Sequence, residues 1–244
     1  MSWIRGMKML TLQYGTTKLA FEVIYKNRKT MEISIEPPQQ ITVIAPIGTP
    51  DEVILQKVKA KANWLIGKLF TFRNMQTQKI TREFVNGESF MYLGRNYSMQ
   101  ILLDETATKP EIKLYRGKFY VIANTKEEQP IKAAMETWYR QKAKEQIEER
   151  IKYYQPFFDK VPTKVKIKEQ KKRWGSCTSK NELLFNWRSV LAKAHALDYI
   201  IVHEMCHMYH KDHSKAFWDL LASVMPDYET RKDWLRDNGI NMDL

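Results

Sequence analysis

The stretch Ile200-Ile201-Val202-His203-Glu204-Met205-Cys206-His207-Met208-Tyr209-His210-Lys211-Asp212-His213 constrains this chain more than any other. Leu197, Ile201 and Met205 recur every four residues with no Pro or Gly nearby, which predicts a helix. His203 and His207 then project from one helical face, with their Cβ atoms about 6 Å apart. Two imidazoles at that spacing converge on one ion at about 2.0–2.1 Å each. Glu204, beside His203, is poorly placed to be a ligand itself but reaches a water on the open side of the ion. The spacing His-Glu-x-x-His therefore predicts two metal ligands and a general base. The apolar lead-in carries these polar groups toward an interior, where they need partners.

A catalytic zinc takes a third protein ligand and keeps one position open. His213, ten residues after His203, has the offset found where a helix ends and the chain doubles back, as in the metzincin pattern. His210 occupies the position of the glycine in that pattern, so a left-handed backbone is expected there. His213 is favoured as the third ligand; His210 and Asp219 are the alternatives. Lys211-Asp212 reads as a turn and Ser214 as the cap of a following helix.

Elsewhere the patterning changes once along the chain. Leu19, Phe21, Val23 and Tyr25 alternate as a strand, Met31, Ile33 and Ile35 follow a basic turn, and Ile41–Ile44 resumes after Pro37-Pro38. Thr49, Pro50 and Glu52 read as a capping box opening a helix. Ile54, Val58, Ala62, Leu65 and Leu69 form its apolar stripe and are expected to cover the preceding strands. Asn86-Gly87 and Arg116-Gly117 read as hairpin turns between short apolar segments. From Pro130, Ile131, Met135, Trp138, Ile147, Ile151 and Tyr154 predict a long amphipathic helix ending before Pro156. A short strand is expected at Lys164–Lys168, and no internal repeat is evident. The expected class is α+β, with a strand-rich region over 1–126 containing one long helix and a mainly helical region with a small sheet over 127–244.

Hydrophobic residues at 43% and charged residues at 28% are ordinary for a globular protein. No apolar run reaches the roughly 20 residues of a membrane-spanning helix. The first residues lack a signal-peptide pattern, and two cysteines are too few for a disulfide framework. A cytoplasmic location with no membrane partner is the expectation. The net charge of +12 keeps nucleic acid open as a partner. Cys206 and Met225 read as core residues, His195 as solvent-facing, and Cys177 as a non-nucleophile because no base is placed beside it. The Lys171-Lys172-Arg173 cluster reads as a solvated face.

Three segments together resemble the YgjP-type metal-dependent hydrolases, relatives of the SprT-like and WLM-type zinc metallopeptidases. They are Arg173-Trp174-Gly175-Ser176-Cys177, Asn186-Trp187-Arg188, and His203-Glu204-Met205-Cys206-His207 continuing through His213 to Trp218. The resemblance implies a zincin-like second half holding one zinc ion through His203, His207 and His213, with Glu204 as base, acting on protein or peptide substrates. It also implies that the strand around Leu183–Val190 edges the cleft. Arg173, Ser176, Arg188 and Tyr209 are the candidate substrate or oxyanion contacts. Two other readings stand beside it: a zinc enzyme for another amide bond, and a basic nucleic-acid-binding protein with a structural or vestigial zinc.

Overall fold

A computed structural model of the chain describes residues 7–36, 40–74, 82–170, 173–239 and 242–244. Pro37-Pro38, Lys171-Lys172 and the first six residues lie outside that set. Sheets and helices are segregated along the chain, which makes the fold α+β as expected. It divides into two compact units, Met1–Gln78 and Lys79–Leu244.

The first unit is a four-stranded sheet of β1 (Met7–Tyr14), β2 (Thr17–Lys26), β3 (Glu32–Glu36) and β4 (Gln40–Pro46), in the order β1-β2-β4-β3. Strands β2 and β4 are parallel, and the two outer pairings are antiparallel. Alternation puts Leu19, Phe21, Val23, Ile41, Val43 and Ala45 on one face. That face is covered by Ile54 and Val58 of α1 (Asp51–Ala60) and by Ala62 and Leu65 of α2 (Ala62–Asn74). The apolar stripe is as expected, but Lys61 (φ −106°) interrupts it and divides one anticipated helix into two. The anticipated capping box does not form. Pro50 is the N-cap of α1, and the Thr49 hydroxyl instead donates to the Pro46 carbonyl at 2.8 Å.

In the second unit, β5 (Ser89–Tyr92), β6 (Arg95–Leu103), β7 (Glu111–Tyr115) and β8 (Lys118–Ala123) form a sheet in the order β5-β6-β8-β7. Its pairing directions match those of the first sheet. Equivalent pairs coincide: Val23 opposes Val43 as Ile101 opposes Val121, each 78 residues further on. Val43-Ile44-Ala45 is repeated as Val121-Ile122-Ala123. The chain therefore contains a structural repeat that the sequence patterning did not reveal. The two compact units divide at 78/79, so each contains one copy of this sheet. The second sheet shares one core with everything after it, from Phe84 to Met242.

The spine of that core is α3 (Glu128–Tyr154), which buries Ile131, Met135, Tyr139, Ala143, Ile147, Ile151 and Tyr154. Arg116-Gly117 forms the anticipated hairpin turn between β7 and β8, with positive φ at both residues. Asn86-Gly87 instead anchors the start of β5 to β6, where the Asn86 side-chain oxygen accepts from the Ile101 amide at 2.6 Å. The β5–β6 turn is Leu93-Gly94, whose amides donate to the carbonyls of Val190 and Leu191 at 2.8 and 3.1 Å. Gly94 has φ +74°, and a Cβ there would fall 2.3 Å from Lys193 Cγ, so only glycine fits this docking.

A second, three-stranded sheet has β11 (Glu182–Asn186) at its centre, between β9 (Lys164–Lys168) and β10 (Gly175–Cys177). The helices α4 (Ala194–Cys206), α5 (Lys215–Val224) and α6 (Tyr228–Asn238) complete the unit. No helix among the described residues is long and apolar enough to cross a membrane.

Candidate metal centre

Helix α4 is buried along most of its length, from Ala196 through Val202 and again at Met205 and Cys206. His203 and Glu204 sit in its last turn, and His207 caps its C-terminus in a right-handed conformation. The chain then turns through residues 207–209, and Ser214 is the N-cap of α5, without a side-chain cap bond. His210 does not have the left-handed backbone expected of it; positive φ occurs elsewhere among the described residues. The reversal nevertheless brings His213 back over His203 and His207.

The three rings form a near-equilateral triangle, with centroids 4.8, 5.0 and 4.8 Å apart. Their ligand atoms all lie within 4.8 Å of one another. Nε2 of His203 and Nε2 of His213 are 3.1 Å apart. Two nitrogens on a tetrahedral zinc at about 2.0–2.1 Å are separated by about 3.3 Å, so this spacing fits one shared ion. His207 Nδ1 donates to the His210 carbonyl at 2.8 Å, which leaves its Nε2 lone pair free for a metal. His210 thus serves through its backbone, and its ring is not part of the triangle. Asp219 is paired with Lys215 at 2.6 Å and is likewise outside it.

Phe217, fully buried, lies beneath all three rings at 4.6–4.9 Å between centroids. Trp218 stacks on His213, and Tyr228 stacks on Trp218. These aromatic groups fix the imidazoles from below and from the side. Their positions depend on how α5 and α6 pack, which no local spacing encodes. Burial, reinforced by the two neighbouring histidines, pushes the His203 imidazole down to about 3. It is therefore neutral at physiological pH, the form that binds metal.

Glu204 is 5% exposed, and its Oε2 has no hydrogen-bond partner among the described residues. Burial raises its carboxyl to about 8, opposed by the charge of Arg173. Its room comes from β10. A Cβ on Gly175 would lie 2.6 Å from Glu204 Cγ and 2.7 Å from Oε1.

A cleft of about 770 Å³ opens over this centre, lined by His203, Glu204, His207 and His213 together with Arg173 and Ser176. Arg188 and Tyr209 are held elsewhere. The Arg188 guanidinium pairs with Glu169 and Asp243 over the Trp187 ring. The Tyr209 hydroxyl accepts from the Lys160 amide at 2.7 Å. The strand edging the cleft is β10, all three residues of which line it; β11 is central and paired on both sides. Cys177 of β10 is half-buried, and burial raises its thiol above the usual range, as suits a non-nucleophile. Cys206 and Met225 are core residues. His195 is half-buried against Trp234 rather than solvent-facing.

These shifts fix an expected pH profile for metal-stripped protein. His203 binds a proton more readily when unfolded, so its contribution to stability is present above pH 6.5 and lost as pH falls toward about 3. Glu204 keeps its proton longer when folded, so its contribution is present below pH 4.5 and lost as pH rises toward about 8. The two oppose each other between 4.5 and 6.5. Burial also holds His195 and His213 below their ordinary value, which adds to the acid side, so the thermal midpoint of chelated protein should rise toward pH 6.5 and fall above it. The alkaline fall should disappear in Glu204→Gln and the acid fall should shrink in His203→Gln; a fall unchanged in its variant would contradict the assignment.

A family model for the YgjP-like metallopeptidase domain matches residues 29–238, most of the chain. Among curated proteins, none matches. The family implies a metal ion and a protein or peptide substrate. With that match spanning both units and the three-histidine centre, the chain belongs to the YgjP-like metallopeptidase family.

Proposed function

We propose that this chain is a zinc peptidase in which His203, His207 and His213 hold one ion and Glu204 is the general base. The carrying observation is the convergence of three imidazoles beside a buried carboxylate oxygen that has no partner among the described residues. A structural zinc is closed by four protein ligands, whereas three groups converge here among the described residues. That favours a catalytic site over a nucleic-acid-binding protein with a structural zinc.

Zinc held there supplies Lewis acidity toward a carbonyl oxygen and lowers the pKa of water toward 7. The charge of Arg173 favours the carboxylate form of Glu204, and a held ion would favour it further. Glu204 then takes a proton from the attacking water and returns it to the leaving nitrogen. Arg173 and Ser176 are the candidate groups for the developing oxyanion, since both line the cleft. The edge of β10 that pairs with no strand among the described residues offers main-chain hydrogen bonds to an extended peptide, which would run as an additional strand past the three histidines.

The test is cleavage of a mixed peptide library before chelation, after chelation and after zinc is returned. Cleavage should be lost and then restored; cleavage that survives complete metal removal would contradict the proposal. Gly175→Ala should retain zinc yet slow turnover on the order of 10²-fold, because the added methyl displaces the base. Turnover within twofold of wild type would show that the Glu204 position is not set by this contact.

A further inference from the structure

The charge of the cleft is lopsided. Glu204 is the only carboxylate among the lining residues, whereas Arg173, Lys211, Lys232 and Arg236 all reach it. Arg236 is compensated by Asp233 and Asp237. The other three have no carboxylate partner among the described residues.

Their settings differ, yet none of the three forms an ion pair among the described residues. Lys211 is fixed by neutral acceptors, the Thr178 carbonyl and the Asn181 side-chain oxygen at 2.9 Å each, with the Cys177 sulfur at 3.4 Å. Those contacts hold an ammonium beside β10, along the edge where a peptide would run. The Lys232 ammonium stands 4.8 Å from the centroid of the Trp218 ring, which stacks on His213. Its charge is felt at both His203 and His213. Arg173 is exposed on the β10 side, and its charge is felt at Glu204. Cations thus flank the centre from the segment leading into β10, from the turn after α4 and from α6. A concave wall of one sign concentrates its field on whatever enters.

We propose that the cleft selects peptides carrying Asp or Glu next to the scissile bond, with Arg173, Lys211 and Lys232 supplying the counter-charge. The proposal rests on the peptidase reading above. A substrate carboxylate replaces the missing acidic partners of these cations, while Lys or Arg at the same position meets like charge.

The experiment uses peptide pairs identical except for Glu or Gln on either side of the cleaved bond. With zinc-loaded wild type at low salt, kcat/KM for the Glu peptide should exceed that for the Gln peptide by about tenfold, and added salt should narrow the ratio. Lys232→Gln and Arg173→Gln, both at exposed positions, should each reduce the ratio severalfold. Binding of labelled, uncleaved peptides to Glu204→Gln protein, followed by fluorescence anisotropy, gives a second readout that needs no turnover. If both peptides are cleaved with equal kcat/KM, charge selection is overturned and the peptidase reading stands. If no peptide is cleaved but Glu204→Gln protein still prefers the Glu peptide, and Lys232→Gln removes that preference, charge selection stands and the peptidase reading is overturned. Absence of preference in both assays overturns the inference.

Discussion

Glu204→Gln protein should retain its full metal content and lose turnover by about 10²–10⁴-fold, the range over which a positioned general base contributes. Gln matches Glu in size, so the contact with Gly175 and the packing under β10 persist. What disappears is the ability to accept a proton. Because the buried carboxyl already favours its neutral form in metal-free protein, the neutral amide should not lower the stability of that protein near pH 8. Loss of activity without loss of metal or stability is therefore the signature expected of a base. Metal analysis together with single-turnover peptide hydrolysis checks it. Normal hydrolysis by Glu204→Gln would remove Glu204 from the mechanism.

The second large effect is on stability. Asp198 lies in α4 with 8% of its surface exposed. It accepts from Arg150 Nε and Nη2 at 2.6 and 2.9 Å and from the Tyr154 hydroxyl at 3.1 Å, and it pairs with Arg231 at 3.7 Å. One carboxylate thus ties α3 and α6 to the helix that carries His203. Breaking a buried ion pair by removing one partner costs about 3–5 kcal/mol, because the other charge is left uncompensated. Arg150 and Arg231 keep 28% and 20% of their side-chain surface in water, so Asp198→Ala should cost somewhat less, about 2–4 kcal/mol. Urea unfolding reads this as a lower midpoint at unchanged slope. A loss below about 0.5 kcal/mol would place the network among surface pairs of little consequence.

The metal-binding pattern was legible because its determinants are local. His203 and His207 are one helical turn apart, and His213 needed only a helix that stops and a chain that reverses. Even there the means differ: the turn requires no left-handed His210, whose carbonyl instead orients His207. What escaped the sequence depends on contacts between distant segments. Phe217 beneath the rings and Gly175 against Glu204 are set by the packing of α5 and β10 on α4. The cleft-edge strand β10 is three residues long, too short for an alternating pattern to declare it. Arg188 and Tyr209 were candidate substrate or oxyanion contacts, yet each is engaged by partners away from the cleft. The repeat was invisible for a related reason. Sheet registers preserve backbone pairing and an apolar face, and many side chains satisfy both, so little beyond Val43-Ile44-Ala45 and Val121-Ile122-Ala123 survives as identity.

Metal content by mass spectrometry shows whether His203, His207 and His213 hold one ion. Wild type purified without added metal should be compared with His203→Ala, His213→Ala and His210→Ala. Near-stoichiometric zinc is expected in wild type and His210→Ala, and its loss from His203→Ala and His213→Ala. Wild type that neither carries nor takes up zinc, or His213→Ala that keeps it while His210→Ala does not, would rule out this ligand set.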